Sequence, residues 1–507
     1  MLFNSFEFVF LYLPATWVGF MLLGLVHPKA AAGFLVVLSL VFYGWWSPIY
    51  LWLLIGSILF NYAVGYQLAA TAAAKQKTVG WTLLAAGVAI NLVLLAYFKY
   101  ANFFLGNLSA VSGLDLQIAK VVLPLGISFF TFTQIAFLVD VHRGEAREYS
   151  LIHYALFVTY FPHLIAGPIL HHREMMPQFA EPATYRPDAG KIAAGLTLFA
   201  IGLFKKVVMA DNLAPFANEI FAAARNGKAL TLLESWSGAL AYTFQLYFDF
   251  SGYCDMAVGL SLMFGILIPI NFASPYRATS IIDFWRRWHI TLSRFLREYL
   301  YYPLGGNRLG EFRRYANILT VMVLGGFWHG AAWTFVAWGV VHGLALLVNH
   351  AWRDTRRRLE ISWSPGPVLG WTMTFLIAVV GWVFFRAEDV DTALRMLAAM
   401  AGQNGVELGV NHRAYLGPLA PLVAGLGVEF VDRSLFSVWS VLWIGAGLII
   451  CLTLVNSQEW VLEGRDVLGR AALAWRAKPA LGAALGLTAA LVVSSMGGQS
   501  EFLYFDF

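Results

Sequence analysis

The residues best suited to chemistry are two histidines in the stretch from Tyr315 to Val348, which carries no Asp, Glu, Lys or Arg. His329 stands among small residues, including Gly326 and Gly330, which let a substrate or another backbone approach closely. An imidazole titrates near neutral pH, so it can take up a proton and return it. Ionisable groups at membrane depth usually face a bundle interior or a water-filled cavity. The pattern therefore predicts a buried, potentially catalytic histidine in a cleft.

The two histidines of this stretch, His329 and His342, could in principle share a metal ion. On one continuous helix they would lie roughly 20 Å apart and on different faces, since each residue adds ~1.5 Å and ~100°. A shared ion would need a break between them, and no cysteine or carboxylate stands nearby with ligand spacing. We therefore expect no metal site. The alternative to catalysis is that both histidines pack between helices and hydrogen-bond to a neighbour.

A basic and aromatic segment over residues 281–300 predicts an interfacial amphipathic helix. Its apolar residues fall at three- and four-residue spacing on one face, and its arginines lie largely on the other. Arg286 and Arg287 are candidates to hold an anionic donor, such as the phosphates of coenzyme A. The alternative is a membrane-surface helix that binds no donor. The other candidate substrate- or donor-binding residues outside the carboxylates are Trp285, Trp328 and Asn307.

Two carboxylates, Asp249 and Asp255, lie in an aromatic stretch between two predicted spans, Leu232–Phe248 and Met256–Ile270. In a solvated loop they would carry no particular function. Facing a helix bundle, Asp249 could instead orient a histidine or pair with an arginine. We therefore include Asp249 among the candidate binding residues.

The elements that must position these residues are membrane-spanning helices. Of the 507 residues, 59% are hydrophobic and 12% are charged, and the charged share is about half that of soluble domains. Apolar segments of spanning length recur from end to end, and helices satisfy their own backbone in lipid. The sequence predicts an all-α, polytopic membrane protein with about 11–14 transmembrane helices plus re-entrant or interfacial helices. We expect one membrane-embedded domain over residues 1–507, with Met1–Phe10 opening a retained first span.

The charge pattern indicates topology and lipid contacts, with no nucleic-acid partner. The net charge is +5, and basic residues cluster in short segments such as Lys205–Lys206, Arg313–Arg314 and Arg356–Arg358, which the positive-inside rule makes cytoplasmic loops. If both basic ends of the His329 stretch are cytoplasmic, its turn points toward the far side of the membrane. The two cysteines imply no disulfide framework.

Several stretches of the chain resemble one known family, the membrane-bound O-acyltransferases (MBOAT). The similarity is greatest to the branch of the alginate O-acetylation proteins (AlgI), which is related to the D-alanyl transfer proteins (DltB). The motifs stand within residues 124–343. They are Pro124–Phe129, Phe161–Pro168, Leu246–Tyr253, Phe284–Ile290 and Gly325–Gly330.

The resemblance implies an enzyme that moves an acyl group, expected to be acetyl, from a cytoplasmic thioester donor across the bacterial inner membrane for O-acetylation of an exported polysaccharide. It implies acetyl-CoA as substrate with no bound cofactor. The implied partners are membrane lipids, a periplasmic SGNH-type acetyltransferase and polysaccharide synthesis or export proteins. The family's essential histidine corresponds to His329, and His289 and His342 match two further histidines of the branch. A later histidine of the DltB branch has no counterpart over Trp371–Phe385, so His342 or Asp249 could substitute for it.

Two other functions are compatible with the sequence. The first is an acyltransferase that modifies a hydroxyl of a lipid or a protein. The second is a small-solute transporter with an intramembrane histidine relay. The chain shows no inverted repeat and no paired broken helices, which counts against a transporter.

Overall fold

The structure, a computed structural model, describes residues 1–115, 121–146, 150–462, 479–497 and 503. Within these ranges the chain is almost entirely helical, and its one sheet has two short parallel strands. The chain folds into two compact units. Unit 1 comprises Met1–Phe204, Gly252–Asn271 and Ser457–Gln499, and unit 2 comprises Lys205–Ser251, Phe272–Asn456 and Ser500–Phe507.

Unit 1 is built from the N-terminal helices and from two helices close to the C-terminus. Its helices are α1 (Leu13–Val26), α2 (Pro28–Trp46), α3 (Pro48–Ala73), α4 (Lys77–Leu95), α5 (Ala101–Ser112), α6 (Ile127–Arg143), α7 (Leu151–Thr159), α8 (Phe161–Leu164), α9 (His172–Ala180), α10 (Ala189–Phe204), α22 (Ser457–Val461) and α23 (Pro479–Ser494). Proline in the first turn opens α2, α3 and α23, where its missing N–H costs no helical hydrogen bond.

Unit 2 holds the middle of the chain and all three candidate catalytic histidines. Its elements are α11 (Asp211–Arg225), α13 (Ile281–Arg287), α14 (Ile290–Leu296), α15 (Glu311–His329), α16 (Trp333–Arg358), α17 (Pro367–Arg386), α18 (Val390–Met400), β1 (Val406–Gly409), α19 (Val410–Leu416), α20 (Ala420–Gly425), β2 (Val428–Val431) and α21 (Val438–Thr453). Short π-helical segments follow α4, α10 and α14, and another precedes α1. The two strands pair in register from Val406 with Val428 to Gly409 with Val431.

The predicted polytopic helical fold is confirmed. Within the described residues, seven helices are long and apolar enough to cross a membrane. They are Phe8–Val26, Pro28–Trp46, Pro48–Ala73, Lys77–Ser112, Ala189–Arg225, Trp333–Arg358 and Pro367–Arg386. The count of about 11–14 crossings and the single domain stay predictions.

The predicted boundary between two spans around the carboxylates is wrong. A single helix, α12 (Leu232–Met263), runs without interruption through Asp249 and Asp255. Both carboxylates are buried, and each has a partner distant in sequence. Asp255, in unit 1, accepts hydrogen bonds from Ser457 Oγ at 2.6 Å and Gln458 Nε2 at 2.9 Å. Because such partners compensate the buried charge, the charged residues do not end the helix.

Two further predictions about basic segments are also corrected. Lys205 and Lys206 do not form a loop, because they lie in the π-helical segment Lys205–Ala210 inside the continuous helix Ala189–Arg225. The predicted amphipathic helix over residues 281–300 is two helices, α13 and α14, joined at a bend. Apolar spacing continues across the bend, so periodicity alone did not reveal it.

Helices α15 and α16 form an antiparallel hairpin whose backbones pass very close together. A Cβ added to Gly326 would lie 2.2 Å from the carbonyl oxygen of Phe335, and one added to Gly339 would lie 2.5 Å from that of Met322. Only glycine permits contacts this short, as at other small-residue helix crossings in membranes. The hairpin turn, Gly330–Ala332, therefore holds the end of α15 firmly against the start of α16.

The hairpin carries its charges at the end away from this turn. Arg314 on α15 and Asp354 on α16 are 2.6 Å apart, and Arg358 pairs with Glu311. From Arg314 to His329 the helix rises about 22 Å, at ~1.5 Å per residue. The histidine thus lies at the end of the hairpin opposite its basic residues. If those basic residues are cytoplasmic, His329 lies toward the far side of the membrane.

Candidate active site

His329 is the last residue of α15, and the extended backbone of Gly330 ends the helix there. The imidazole is only 4% exposed. Its ring centroid lies 5.2 Å from that of Trp338 and 5.1 Å from that of Phe385, both edge-on. A Cβ on Gly330 would meet the Phe335 ring at 2.0 Å. The turn therefore needs a glycine beside the histidine, and aromatic rings from α16 and α17 enclose the imidazole.

His289 comes from the bend between α13 and α14 and is fully buried. Its backbone adopts the left-handed conformation, with φ at 43°, which costs a non-glycine residue roughly 1–3 kcal/mol and tends to occur at functional sites. Its ring centroid lies 6.3 Å from that of His329 and 4.9 Å from that of Phe250. The two imidazoles are therefore close enough to contact the same small substrate group.

His342 lies on one side of the same aromatic enclosure, on α16, and is also fully buried. Its ring centroid is 4.9 Å from that of Trp338 and 5.3 Å from that of Trp285. Trp338 thus contacts both His329 and His342. Gly381 on α17 makes room for the ring, since a Cβ there would lie 2.5 Å from Nε2 of His342.

The polar atoms around His342 have an unusual environment. Among the residues that the structure describes, neither ring nitrogen of His342 hydrogen-bonds to a protein group, and the same holds for the indole N–H groups of Trp285 and Trp338. Most buried polar groups in proteins are hydrogen-bonded, and those that are not are concentrated at functional sites. This cluster on α13 and α16 is therefore suited to meet polar atoms of a bound substrate.

Asp249 is paired with a lysine, which was not among the partners expected from the sequence. It is 1% exposed, and its Oδ1 lies 2.8 Å from Nζ of Lys206, which also lies 2.8 Å from Asp211 Oδ1. The backbone N–H of Leu503 donates to Oδ2 of Asp249 at 3.0 Å. The next residue, Phe250, contacts His289. Asp249 therefore fixes the α12 backbone behind His289.

The other predicted substrate- and donor-binding residues divide into three groups. Trp285 and Trp328 join the histidine site, with the Trp328 ring 5.0 Å from His329 and 6.4 Å from His289. Arg287 is buried and donates to both Asp283 oxygens at 3.0 Å and to the Ala273 carbonyl at 3.2 Å. Its guanidinium therefore ties α13 to the preceding segment. The two exposed members of the predicted set are Arg286 and Asn307.

Sequence reasoning missed Lys206, Phe250 and Phe385 as neighbours of the site. The signal for Lys206 was a lysine within a long apolar segment, where a buried partner is expected. The signal for the two phenylalanines was their place inside distinctive motifs, next to Asp249 and Arg386.

Comparisons with known proteins give a family match and several similar relatives. A model of the membrane-bound O-acyltransferase family matches residues 76–385, more than half of the chain. The peptidoglycan O-acetyltransferase of Helicobacter pylori is 46% identical over 80% of this chain and 81% of its own length. The probable alginate O-acetylase AlgI of Azotobacter vinelandii is 44% identical over 86% and 85%, respectively. The teichoic acid D-alanyltransferase of Streptococcus thermophilus is 28% identical over 49% of this chain and 63% of its own length.

Proposed function

The chain belongs to the membrane-bound O-acyltransferase family, and on that premise we propose that it transfers an acetyl group from a cytoplasmic thioester to a hydroxyl for the O-acetylation of an exported polysaccharide. The observation that carries this proposal is the pairing of two buried imidazoles, His329 and His289, in one aromatic enclosure. Relatives named for acetylation of alginate and of peptidoglycan support the acetyl group and the polymer. The acyltransferase membership also favours this function over a solute transporter.

His329 is the general base and acid of the proposed reaction. Neutral imidazole takes the proton of the acceptor hydroxyl while the hydroxyl oxygen forms a bond to the thioester carbonyl carbon. The carbon–sulfur bond then breaks, and the imidazolium returns the proton to the departing thiolate. General acid–base catalysis of this kind contributes about 10²–10⁴-fold of rate, and the surrounding rings exclude water that would hydrolyse the thioester.

His289 and His342 are proposed to hold the reacting groups on either side of His329. The strained backbone of His289 fixes its ring 6.3 Å from that of His329, where it can contact the same acyl or hydroxyl oxygen. The ring of His342 contacts those of Trp285 and Trp338. Its ring nitrogens have no protein partner among the described residues and can meet polar atoms of the donor. Holding reactants in this way supplies the proximity on which acyl transfer depends.

The hairpin supports the proposed direction of transfer. The basic ends of α15 and α16 favour the cytoplasmic side, so acetyl-CoA would enter from there. His329, about 22 Å along α15 from Arg314, would meet the acceptor from the far side of a bacterial inner membrane. A periplasmic acetyltransferase of the SGNH type and polymer synthesis or export proteins are the proposed partners. Arg286 and Asn307, both exposed, stay candidate contacts for the donor.

The first test is thiol release from acetyl-CoA by the purified full chain in lipid nanodiscs, with the His329→Ala variant beside the wild type. We expect a loss of about 10²–10⁴-fold, and a matching loss of polymer O-acetyl groups in cells. The control is His412→Ala on α19, which removes a histidine outside the enclosure. A folded His329→Ala protein with wild-type thiol release would show that this imidazole only packs between helices.

A further inference from the structure

An apolar groove of about 750 Å³ lies in unit 1, between the helices α1, α10 and α23. Its lining includes Trp17 of α1, Ala193 and Leu203 of α10, Met263 at the end of α12 and Gly486 of α23. Helices α1 and α10 belong to segments long and apolar enough to cross a membrane, and α23 is a shorter apolar helix. The groove is therefore at membrane depth, where the surrounding solvent is lipid.

The polar side chains of the groove already have partners. Among the described residues that line it, the side chains with an N–H or O–H group are Trp17 and Thr197. The Trp17 indole N–H donates to the Met263 carbonyl at 2.8 Å, and the Thr197 hydroxyl donates to the Ala193 carbonyl at 2.8 Å. Because a polar ligand would lose its own hydrogen bonds on entering such a lining, the groove suits an apolar chain.

Small residues on α23 keep the groove open. Gly482, Gly486 and Ala489 line it at four- and three-residue spacing, which places them on one face of the helix. Glycines at this spacing often permit close helix crossings in membranes, as Gly326 and Gly339 do between α15 and α16. By contrast, a Cβ added to Gly482 or Gly486 would meet no described atom within 4 Å. The space beside these two glycines is therefore available to a ligand.

The length of the groove matches one lipid chain. From Ala193 to Leu203 helix α10 rises about 15 Å, and from Gly482 to Val493 helix α23 rises about 16 Å, at ~1.5 Å per residue. Both lengths are close to half of a hydrocarbon layer of ~30 Å, which is the depth that the acyl chains of one leaflet fill. A spanning helix of a second copy would be about twice as long as the groove.

A cation lies at one end of the groove. Lys191 is in the first turn of α10, and its Nζ lies 3.4 Å from the carbonyl oxygen of Gly265, two residues after Met263. The neighbouring carboxylate, Asp188, accepts the backbone N–H of Lys191 at 2.9 Å and so caps the helix. Since an ammonium group has three N–H donors, Lys191 can bind a phosphate while it keeps its contact with Gly265. Basic residues beside membrane helices bind lipid headgroups in this way.

We propose that unit 1 binds a phospholipid here, with one acyl chain in the groove between α1, α10 and α23 and the phosphate on Lys191. The bound lipid fills the space beside Gly482 and Gly486 and covers the apolar side of α10 that faces the groove. It is neither the donor nor the acceptor of the proposed acyl transfer, and the inference does not depend on that function.

The test uses the full chain in nanodiscs of phosphatidylcholine that contain a small fraction of phosphatidylglycerol with a diazirine on one acyl chain. After photolysis, mass spectrometry of peptides locates the labelled residues. We expect the groove positions of α1, α10 and α23 to be labelled at least about tenfold more than Val93, an exposed residue of α4, as burial of two or more further methylenes would give. Equal labelling of the groove and of Val93 would overturn the proposal.

A larger side chain at Gly486 tests the groove directly. Gly486→Leu should fill it and lower the labelling at least about tenfold, since two or more methylenes of the lipid lose their place. Leucine favours a helix more than glycine does, so α23 should still form, and Gly482→Leu repeats the test if Gly486→Leu folds poorly. Ala484→Leu adds a similar side chain at an exposed position on the other side of α23 and should change nothing. Wild-type labelling of folded Gly486→Leu would refute the site.

Two further variants test the phosphate and the competing occupant. Lys191→Gln should weaken binding of the labelled phosphatidylglycerol about fivefold, as loss of one basic residue near a headgroup does, and unchanged binding would refute the contact with the phosphate. Gly486→Cys adds an exposed thiol to a chain whose described cysteines, Cys254 and Cys451, are buried. A disulfide between two copies through position 486, in discs that hold two chains, would assign the groove to a second copy and overturn the lipid site.

Discussion

The contact between Gly381 and His342 gives a quantitative test of the histidine enclosure. A Cβ at position 381 would lie 2.5 Å from Nε2 of His342 and 3.4 Å from Cδ1 of Trp338. Non-bonded heavy atoms prefer about 3.5–4.0 Å, so the imidazole of a Gly381→Ala variant must move by about 1 Å. His342 is fully buried, and overpacking at such a site costs about 1–3 kcal/mol.

Alanine also gains about 1 kcal/mol of helix propensity over glycine, so the stability of Gly381→Ala alone would understate the clash. The control is Gly445→Ala on α21, where no atom lies within 4 Å of the added Cβ. We expect Gly381→Ala to be about 1–3 kcal/mol less stable than Gly445→Ala, measured by unfolding in the same detergent. Because a displacement of about 1 Å near reacting groups can cost 10²-fold, thiol release should also fall in Gly381→Ala alone.

A double-mutant cycle then identifies the atom responsible. In a His342→Ala background the ring is gone, and Gly381→Ala should lose most of its destabilising effect, with a coupling of about 1–3 kcal/mol. If Gly381→Ala matched Gly445→Ala in both stability and thiol release, the close approach of α17 to His342 would be refuted. A coupling near zero would show that the cost of Gly381→Ala does not come from the His342 ring.

Two other changes test the groups behind His289. Lys206→Met leaves Asp249 without its buried cation and should lower stability by about 3–5 kcal/mol, whereas Lys206→Met with Asp249→Leu should recover most of that loss in the same melting assay. His289→Gly relieves the left-handed backbone and should be about 1–2 kcal/mol more stable than His289→Ala, although both should lose thiol release. Equal melting of the two His289 variants would mean that the bend carries no backbone strain.

The hairpin at His329 was predictable because the histidine and the glycines that let the two helices pack closely are neighbours in the sequence. A histidine amid glycines in an uncharged stretch predicts a close helix crossing, and Gly326 and Gly330 make the contacts that permit it. The family resemblance rests on the same stretch. Local sequence is sufficient for the crossing itself, since these close contacts lie within the α15–α16 hairpin.

The residues that sequence reasoning misplaced depend on partners far along the chain. Asp249 looked like a helix boundary because nothing near it neutralises the charge, and its partner Lys206 comes from another helix. Lys206 looked like part of a cytoplasmic loop for the same reason. The bend at His289 was hidden because the apolar spacing of α13 continues in α14. Its left-handed φ falls on a histidine, with no glycine or proline beside it to signal a break. Tertiary pairing, which single-sequence patterns do not contain, explains the positions of Asp249 and Lys206.

The length of α15 bears on how an acyl group could cross the membrane. From Arg314 to His329 the helix rises about 22 Å, roughly three quarters of a hydrocarbon layer of ~30 Å. If His329 is the base, as we propose, the reaction needs no carrier that moves through the bilayer. In the proposed reaction the donor would extend its thioester inward from the basic side, and the acceptor would approach from the opposite side. In the proposed reaction only the acyl group would pass between the two sides, and the enclosure of His289, His329 and Phe385 would have to exclude water at every stage.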